Sequence, residues 1–256
     1  MANKITNPVM SVKMTGDTFD RINAYAYIVS DLIGKPTEVM GLLLSAIDDT
    51  TCTATEAYLI SDQEVTGWEA HPKKGILAKA YVEARKKSKK VVGMWHSHGS
   101  YSNFHSTFDD AHLKVLLIKN TYILPNRLNF QNRSLPYAAS IVINNESYQR
   151  ENPAERPVKK QHYFCCAAIQ DERKNQRIID DLVLELVPGK TQPTSDYEIR
   201  NEVCKKVIFR GKYLSQVLEE RNATVLEEEV RENSIVSSFK AIYNAIFRRE
   251  CRGETR

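Results

Sequence analysis

What the chain lacks narrows the field before any motif is read. No apolar run approaches the roughly 18 residues that a membrane-crossing helix requires, so no membrane association is expected. The opening stretch, "MANKITNPVMSVKMTGD", has no apolar core of the kind a secretory leader carries. The five cysteines (Cys52, Cys165, Cys166, Cys204 and Cys251) are odd in number, scattered, and never spaced C-x-x-C. That pattern argues against a disulfide framework and for a reducing, cytoplasmic setting. Cys165 and Cys166 would point to opposite faces of a strand, so they read as buried thiols and not as a bridge. An excess of either charge is also missing: a net charge of +4 is too mild to argue for a nucleic-acid partner. The basic run Arg85–Lys90 reads as a solvated helix end. The H-x-E with P-C-x-x-C pairing of the zinc deaminases is absent, as are internal repeats and low-complexity tracts.

What is present is an ordinary globular balance, 42% hydrophobic and 27% charged over 256 residues, enough for one large domain with an appendage. Phe19, Ile22, Ala26, Val29 and Ile33 recur at three- and four-residue steps, which predicts an amphipathic helix capped by Asp17 and stopped by Gly34 and Pro36. Val39–Ile47 and Thr53–Ile60 read as strands around an Asp48-Asp49-Thr50 turn. Ile76, Leu77, Ala80, Tyr81 and Ala84 predict a second helix. A short buried strand, Lys90–Trp95, then delivers the chain to His96. A third helix is expected from Ser106 to about Asn120, and another strand over Tyr137–Asn144. "HYFCCAAIQ" and "IIDDLVLELV" look like a hairpin around the polar Asp171–Gln176. Mixed strands and helices predict an α/β (α+β) fold with a central mixed sheet flanked by helices over residues 8–187. A Pro- and Gly-containing linker (188–196) follows, and then a helical extension (197–256) read as two charged helices, Tyr197–Asn222 and Ala223–Glu250.

The stretch "WHSHGSYSNFHSTFD" carries the chemistry. His96 and His98 follow a strand two residues apart, so an extended backbone aims both imidazoles at one point. Asp109 offers a carboxylate from the first turn of the next helix, and two histidines with one carboxylate leave a coordination position open on zinc. Each residue also has a plain structural reading. Ser106 and Asp109 make an S-x-x-D helix start, close to a capping box. Asp110 complements the helix dipole, and His105 reads as a solvent-facing side chain. His71, His112 and His162 have no partners at ligand spacing. Upstream, Glu38 precedes Val39-Met40-Gly41-Leu42, but Glu56, Glu64 and Glu69 compete for any role given to it.

Taken together, E-x-x-G-L before a strand followed by H-S-H-x7-S-x2-D resembles the JAMM (MPN-plus) family of zinc isopeptidases, from about Pro8 to Leu186. The resemblance implies one Zn2+ held by His96, His98 and Asp109. It makes Glu38 the general base and then acid, and Ser106 a hydrogen-bond donor to the developing oxyanion. One departure is visible: many members have proline after the second histidine, where this chain has Gly99. The implied substrate is an isopeptide bond between ubiquitin or a ubiquitin-like protein and a lysine side chain. The tail of that modifier would add to a sheet edge within Ser61–Lys74, with Val65 and Trp68 as the apolar contacts and Asn145–Lys160 in support. The apolar face of Ala223–Glu250 implies burial, either on the chain's own domain or as a homo- or hetero-oligomeric contact. Two other readings stand beside this one: a hydrolase of the same family acting on a small amide or thiocarboxylate, and a non-catalytic scaffold subunit.

Overall fold

The computed structural model describes residues 11–99, 102–122, 127–130, 133–144, 163–170, 174–189 and 195–224. The chain divides into two compact units, Met1–Leu214 and Ser215–Arg256. The order of elements in the first unit begins β1 (Ser11–Thr15), α1 (Gly16–Ile33), β2 (Met40–Ala46), β3 (Glu56–Leu59), β4 (Gln63–Val65), β5 (Ala70–Pro72) and α2 (Ile76–Lys86). It continues with β6 (Lys89–Ser97), α3 (Thr107–Tyr122), β7 (Arg127–Phe130), β8 (Arg133–Ile143) and β9 (Tyr163–Gln170). It closes with β10 (Gln176–Ile179), β11 (Val183–Val187), α4 (Asp196–Lys206), β12 (Val207–Phe209) and β13 (Lys212–Tyr213). In the second unit, residues 215–224 continue a helix.

The central sheet runs β10-β9-β8-β6-β2-β3, with β7 paired to β8 off that path. It is mixed, as expected: β6 and β8 are parallel, and the other ladders are antiparallel. Period-2 alternation sorts its two faces. Met40, Leu42 and Leu44 of β2, with Met94 of β6, join Ile76, Ala80, Tyr81, Leu113 and Leu117 in one buried cluster, so α2 and α3 cover that face. On the opposite face Trp95 is fully buried and its ring stacks on Tyr25 of α1, centroids 5.6 Å apart and 4° from parallel. Gly41 makes this possible. An added Cβ there would lie 2.3 Å from both the Trp95 ring and the Tyr58 carbonyl oxygen, so only glycine lets the indole cross β2.

The structure departs from the sequence reading in several elements. Thr15, not Asp17, caps α1, its side-chain oxygen accepting from the Thr18 amide at 3.3 Å, while Asp17 sits in the first turn where it complements the dipole. Gly34 closes that helix in the left-handed conformation (φ 81°) as expected. β11 leaves the β9–β10 hairpin and pairs in parallel with β1. Tyr197–Asn222 is not one helix: α4 ends at Lys206, and Arg210 (φ 52°) and Gly211 (φ 78°) make a tight turn between β12 and β13. β12 pairs in parallel with β4, completing a second sheet of order β13-β12-β4-β5.

The segment that follows the linker therefore belongs, up to Leu214, with the first unit. Glu202 of α4 fastens it there. Its carboxylate accepts from the Tyr25 hydroxyl (2.6 Å) and from Arg21 of α1 (2.7 Å), and it pairs with Lys206 (2.7 Å). The remaining expected helix, Ala223–Glu250, and the loop Asn145–Lys160 lie outside the described residues apart from positions 223 and 224. No helix among the described residues is long and apolar enough to cross a membrane.

Candidate metal centre

β6 continues through His96 and Ser97, so both histidines keep the side-chain alternation of an extended strand. His96 shares a face with Met94, the face that α3 covers, and both His96 and His98 are 6% exposed. Their Nε2 atoms lie 3.0 Å apart. His98 Nδ1 lies 2.9 Å from the Ser102 carbonyl oxygen, which can only accept, so that nitrogen carries the proton and Nε2 is left with its lone pair. The Phe104 ring packs edge-on against His98 at 4.9 Å. Burial pushes the His96 imidazole well below its ordinary value against the opposing pull of Asp109, and this burial favours the neutral ring with a lone pair to donate.

Asp109 reaches this pair from the first turn of α3, its Oδ1 3.5 Å from His96 Nε2. The capping box expected at this helix start is formed: the Asp109 amide donates to Ser106 Oγ (3.2 Å), and the Ser106 amide and hydroxyl both donate to Asp109 Oδ2 (2.8 and 2.7 Å). Although burial alone would raise it, the pairing with His96 and these Ser106 bonds hold the Asp109 carboxyl below its ordinary value. Cap and candidate ligand are thus one residue, with one oxygen for each task.

Glu38 is brought to the same place by strand register. Met40 pairs with His96 across β2 and β6, and stepping two residues back along one strand and two forward along the other sets Glu38 against His98 on one face. Ser97, between the histidines, points the other way and bonds the segment that carries Glu38. The Ser97 amide donates to the Val39 carbonyl (2.9 Å), the Val39 amide donates to Ser97 Oγ (3.1 Å), and the Ser97 hydroxyl reaches the Thr37 carbonyl (3.4 Å). Gln63 (0% exposed) extends the hold, bonding both the Met40 amide and carbonyl at 2.9 Å. The Glu38 carboxyl is pushed up to about 8, first by burial and then by the negative charges of Asp109 and Glu69.

The β4–β5 hairpin loop lies beside this centre. The Glu38 amide donates to the Thr66 carbonyl at 3.0 Å, and Thr66 Oγ1 accepts from the Trp68 and Glu69 amides at 3.1 and 3.0 Å. Of the two expected apolar contacts, Trp68 is 69% exposed on this loop, whereas Val65 is 1% exposed and is a core residue of β4. Gly99 has φ +54°, a conformation closed to proline with its φ locked near −65°. A Cβ at position 99 would crowd the Thr37 amide at 3.3 Å.

His105, expected to face solvent, is buried: its side chain is 3% exposed and hydrogen-bonded at both ring nitrogens. The sequence carried one signal for it, an aspartate five residues on. Ser97 and Gln63 were likewise invisible as site residues, because their partners are 58 and 23 residues away along the chain. Cys165 and Cys166 are both buried and unbridged.

Among the described residues, His96, His98 and Asp109 form one group whose ligand atoms all lie within 4.8 Å of one another. The donor set suits a zinc-class divalent ion: two buried imidazoles, one with its Nδ1 fixed by a carbonyl, and one carboxylate oriented by hydrogen bonds. Residues 28–153, which include Glu38 and all of the motif, match the family described as prokaryotic homologs of the JAB domain. No curated protein matches the chain. Among solved structures, the chain is similar to the solution structure of protein DSY2949 from Desulfitobacterium hafniense. The identity is 14% over 69% of this chain and 94% of that one, with a TM-score of 0.36.

Proposed function

The chain carries an MPN/JAMM-type domain, and from that premise we propose that it is a zinc-dependent isopeptidase that releases ubiquitin or a ubiquitin-like modifier from lysine side chains. The observation that carries this reading is the convergence on one sheet face of His96, His98, Asp109 and a carboxyl, Glu38, held near neutrality. When bound, the ion supplies Lewis-acid chemistry, making water nucleophilic at neutral pH and polarising the scissile carbonyl. Glu38 takes the proton of the attacking water and returns it to the departing amine, and burial of its carboxyl favours taking up that proton. Ser106 orients Asp109 through two hydrogen bonds, and its hydroxyl must turn away from Asp109 to serve a developing oxyanion.

The edge of β5, unpaired among the described residues, and the exposed Trp68 on the same hairpin suit an extended peptide tail, which would gain backbone hydrogen bonds from the edge and apolar contact from the indole. Metal analysis joined to a cleavage assay on a panel of ubiquitin-like fusions, with small amides in parallel, tests the reading. One zinc per chain and release of a modifier by the parent but not by Glu38→Gln is expected. Turnover by fully metal-free protein would overturn it, and cleavage of small amides alone would place the chain among small-molecule hydrolases.

A further inference from the structure

His105 has no part in the reaction just described, yet it is the most completely engaged side chain beside the site. Nδ1 lies 2.7 Å from Asp110 Oδ1 and Nε2 lies 3.0 Å from Ser140 Oγ. The ring packs at 6.3 Å from Phe164 of β9 and 6.3 Å from His96. A carboxylate accepts, so Nδ1 carries the proton, and Nε2 accepts from the Ser140 hydroxyl. Neither nitrogen is left for a metal.

The order Asp110–His105–Ser140 copies that of a hydrolytic triad, but Ser140 is 0% exposed within β8, where no substrate carbonyl can reach it. The array joins two parts of the fold instead. Asp110 lies in the first turn of α3 next to Asp109, and Ser140 pairs in register with Met94 of β6, two residues before His96. The bridge therefore runs from the helix that carries one candidate ligand to the strand beside the other two.

We propose that His105 is a positioning residue that clamps the first turn of α3 to β8, so that Asp109 is held facing His96 and His98. The proposal rests on the reading of those three residues as ligands, and its test separates the two ideas. The capping box orients the Asp109 carboxylate within its own turn, but nothing in that box fixes the turn against the sheet. The His105 bridge supplies that constraint from a rigid buried ring, and outer partners of this kind typically set 10- to 100-fold in metal affinity.

Two substitutions separate a clamp from mere packing. His105→Phe keeps a ring against Phe164 and loses both hydrogen bonds; His105→Asn can still donate to Asp110 but is too short to reach Ser140, so it too breaks the bridge. Two readouts apply: amide exchange in chelated protein, and cobalt affinity by competition with a chelator. In His105→Phe the Asp109 and Asp110 amides should exchange about tenfold faster or more, and cobalt affinity should fall about 10- to 100-fold. The His98 amide, bonded to the Ile143 carbonyl within the sheet, should be unchanged, and His105→Asn should behave like His105→Phe. Parent-like exchange and cobalt affinity in His105→Phe, which keeps the ring but not the hydrogen bonds, overturn the proposal. So does acceleration that spreads equally to the His98 amide. If either variant fails to fold, Ser140→Ala removes a single hydroxyl: faster exchange at the Asp109 and Asp110 amides supports the clamp, and parent-like exchange there overturns it. A parent protein that takes up no cobalt removes the metal reading, while the exchange measurements still decide the clamp.

Discussion

Ser106 and Asp109 divide one carboxylate between two tasks: Oδ2 accepts from the Ser106 amide at 2.8 Å and hydroxyl at 2.7 Å, and Oδ1 is left 3.5 Å from His96 Nε2. A sequence pattern that reads as a helix cap is therefore also what turns a carboxylate oxygen toward the histidines. Ser106→Ala removes the hydroxyl bond and the oxygen that caps the Asp109 amide. We expect metal affinity to fall by about tenfold and stability by about 1 kcal/mol, the usual cost of losing a cap. Chelator competition and chemical denaturation measure the two. Undiminished affinity combined with a large fall in kcat would assign Ser106 to the oxyanion instead.

Glu38 gives a pH dependence of defined sign in metal-free protein. Its carboxyl is raised from 4.5 to about 8, so between those values the folded chain retains a proton that the unfolded chain has lost. The stability this group contributes is full below 4.5 and is lost as pH rises through 8. With chelator present, Glu38→Gln should melt with the parent near pH 4.5 and above it at pH 8.5. Parallel melting curves across that range would mean that the carboxyl is ordinary and its burial inconsequential.

At Gly41 a single methyl group should do severe damage. Its Cβ would meet the Trp95 ring and the Tyr58 carbonyl at 2.3 Å, and backbone cannot yield as a flexible side chain would. Gly41→Ala should cost about 1–3 kcal/mol or more, in line with overpacked cores. It should weaken metal binding as well, because Trp95 immediately precedes His96. Denaturation and metal titration of the same variant test both.

The boundary at Leu214 sets where the chain can be shortened. Ending it after Gly189 removes β12 from the edge of β4 and leaves Arg21 and Tyr25 of α1 without Glu202. Such a fragment should be destabilised by several kcal/mol, since it loses a strand together with a partly buried charge network. A chain ending after Leu214 keeps all of these and should fold and bind metal like the parent. Circular dichroism melts of the two fragments decide it.

How much of this was readable without coordinates follows from the range of each interaction. Period-2 alternation alone placed His96 and His98 on one side of a strand, and an S-x-x-D start alone announced a cap at Ser106 and Asp109, because both depend on neighbours a few residues away. The mixed sheet and its flanking helices followed from the same local periodicities. Local pattern states which face a side chain takes and is silent about what that face meets.

Tertiary contact decided the rest. Glu38 stands apart from Glu56, Glu64 and Glu69 because β2 pairs with β6 in a register that sets it against His98, and because Ser97 bonds Val39 from 58 positions away. Val65 went to the core and Trp68 to the surface through a three-residue strand too short to show its own alternation in the sequence. Tyr197–Asn222 read as one charged helix. It became helix, turn and hairpin because β4 offered an unpaired edge, and backbone hydrogen bonds to a distant strand outweigh a weak local preference. His105 was misplaced for the same reason: its two partners, Asp110 and Ser140, meet only when α3 lies on β8.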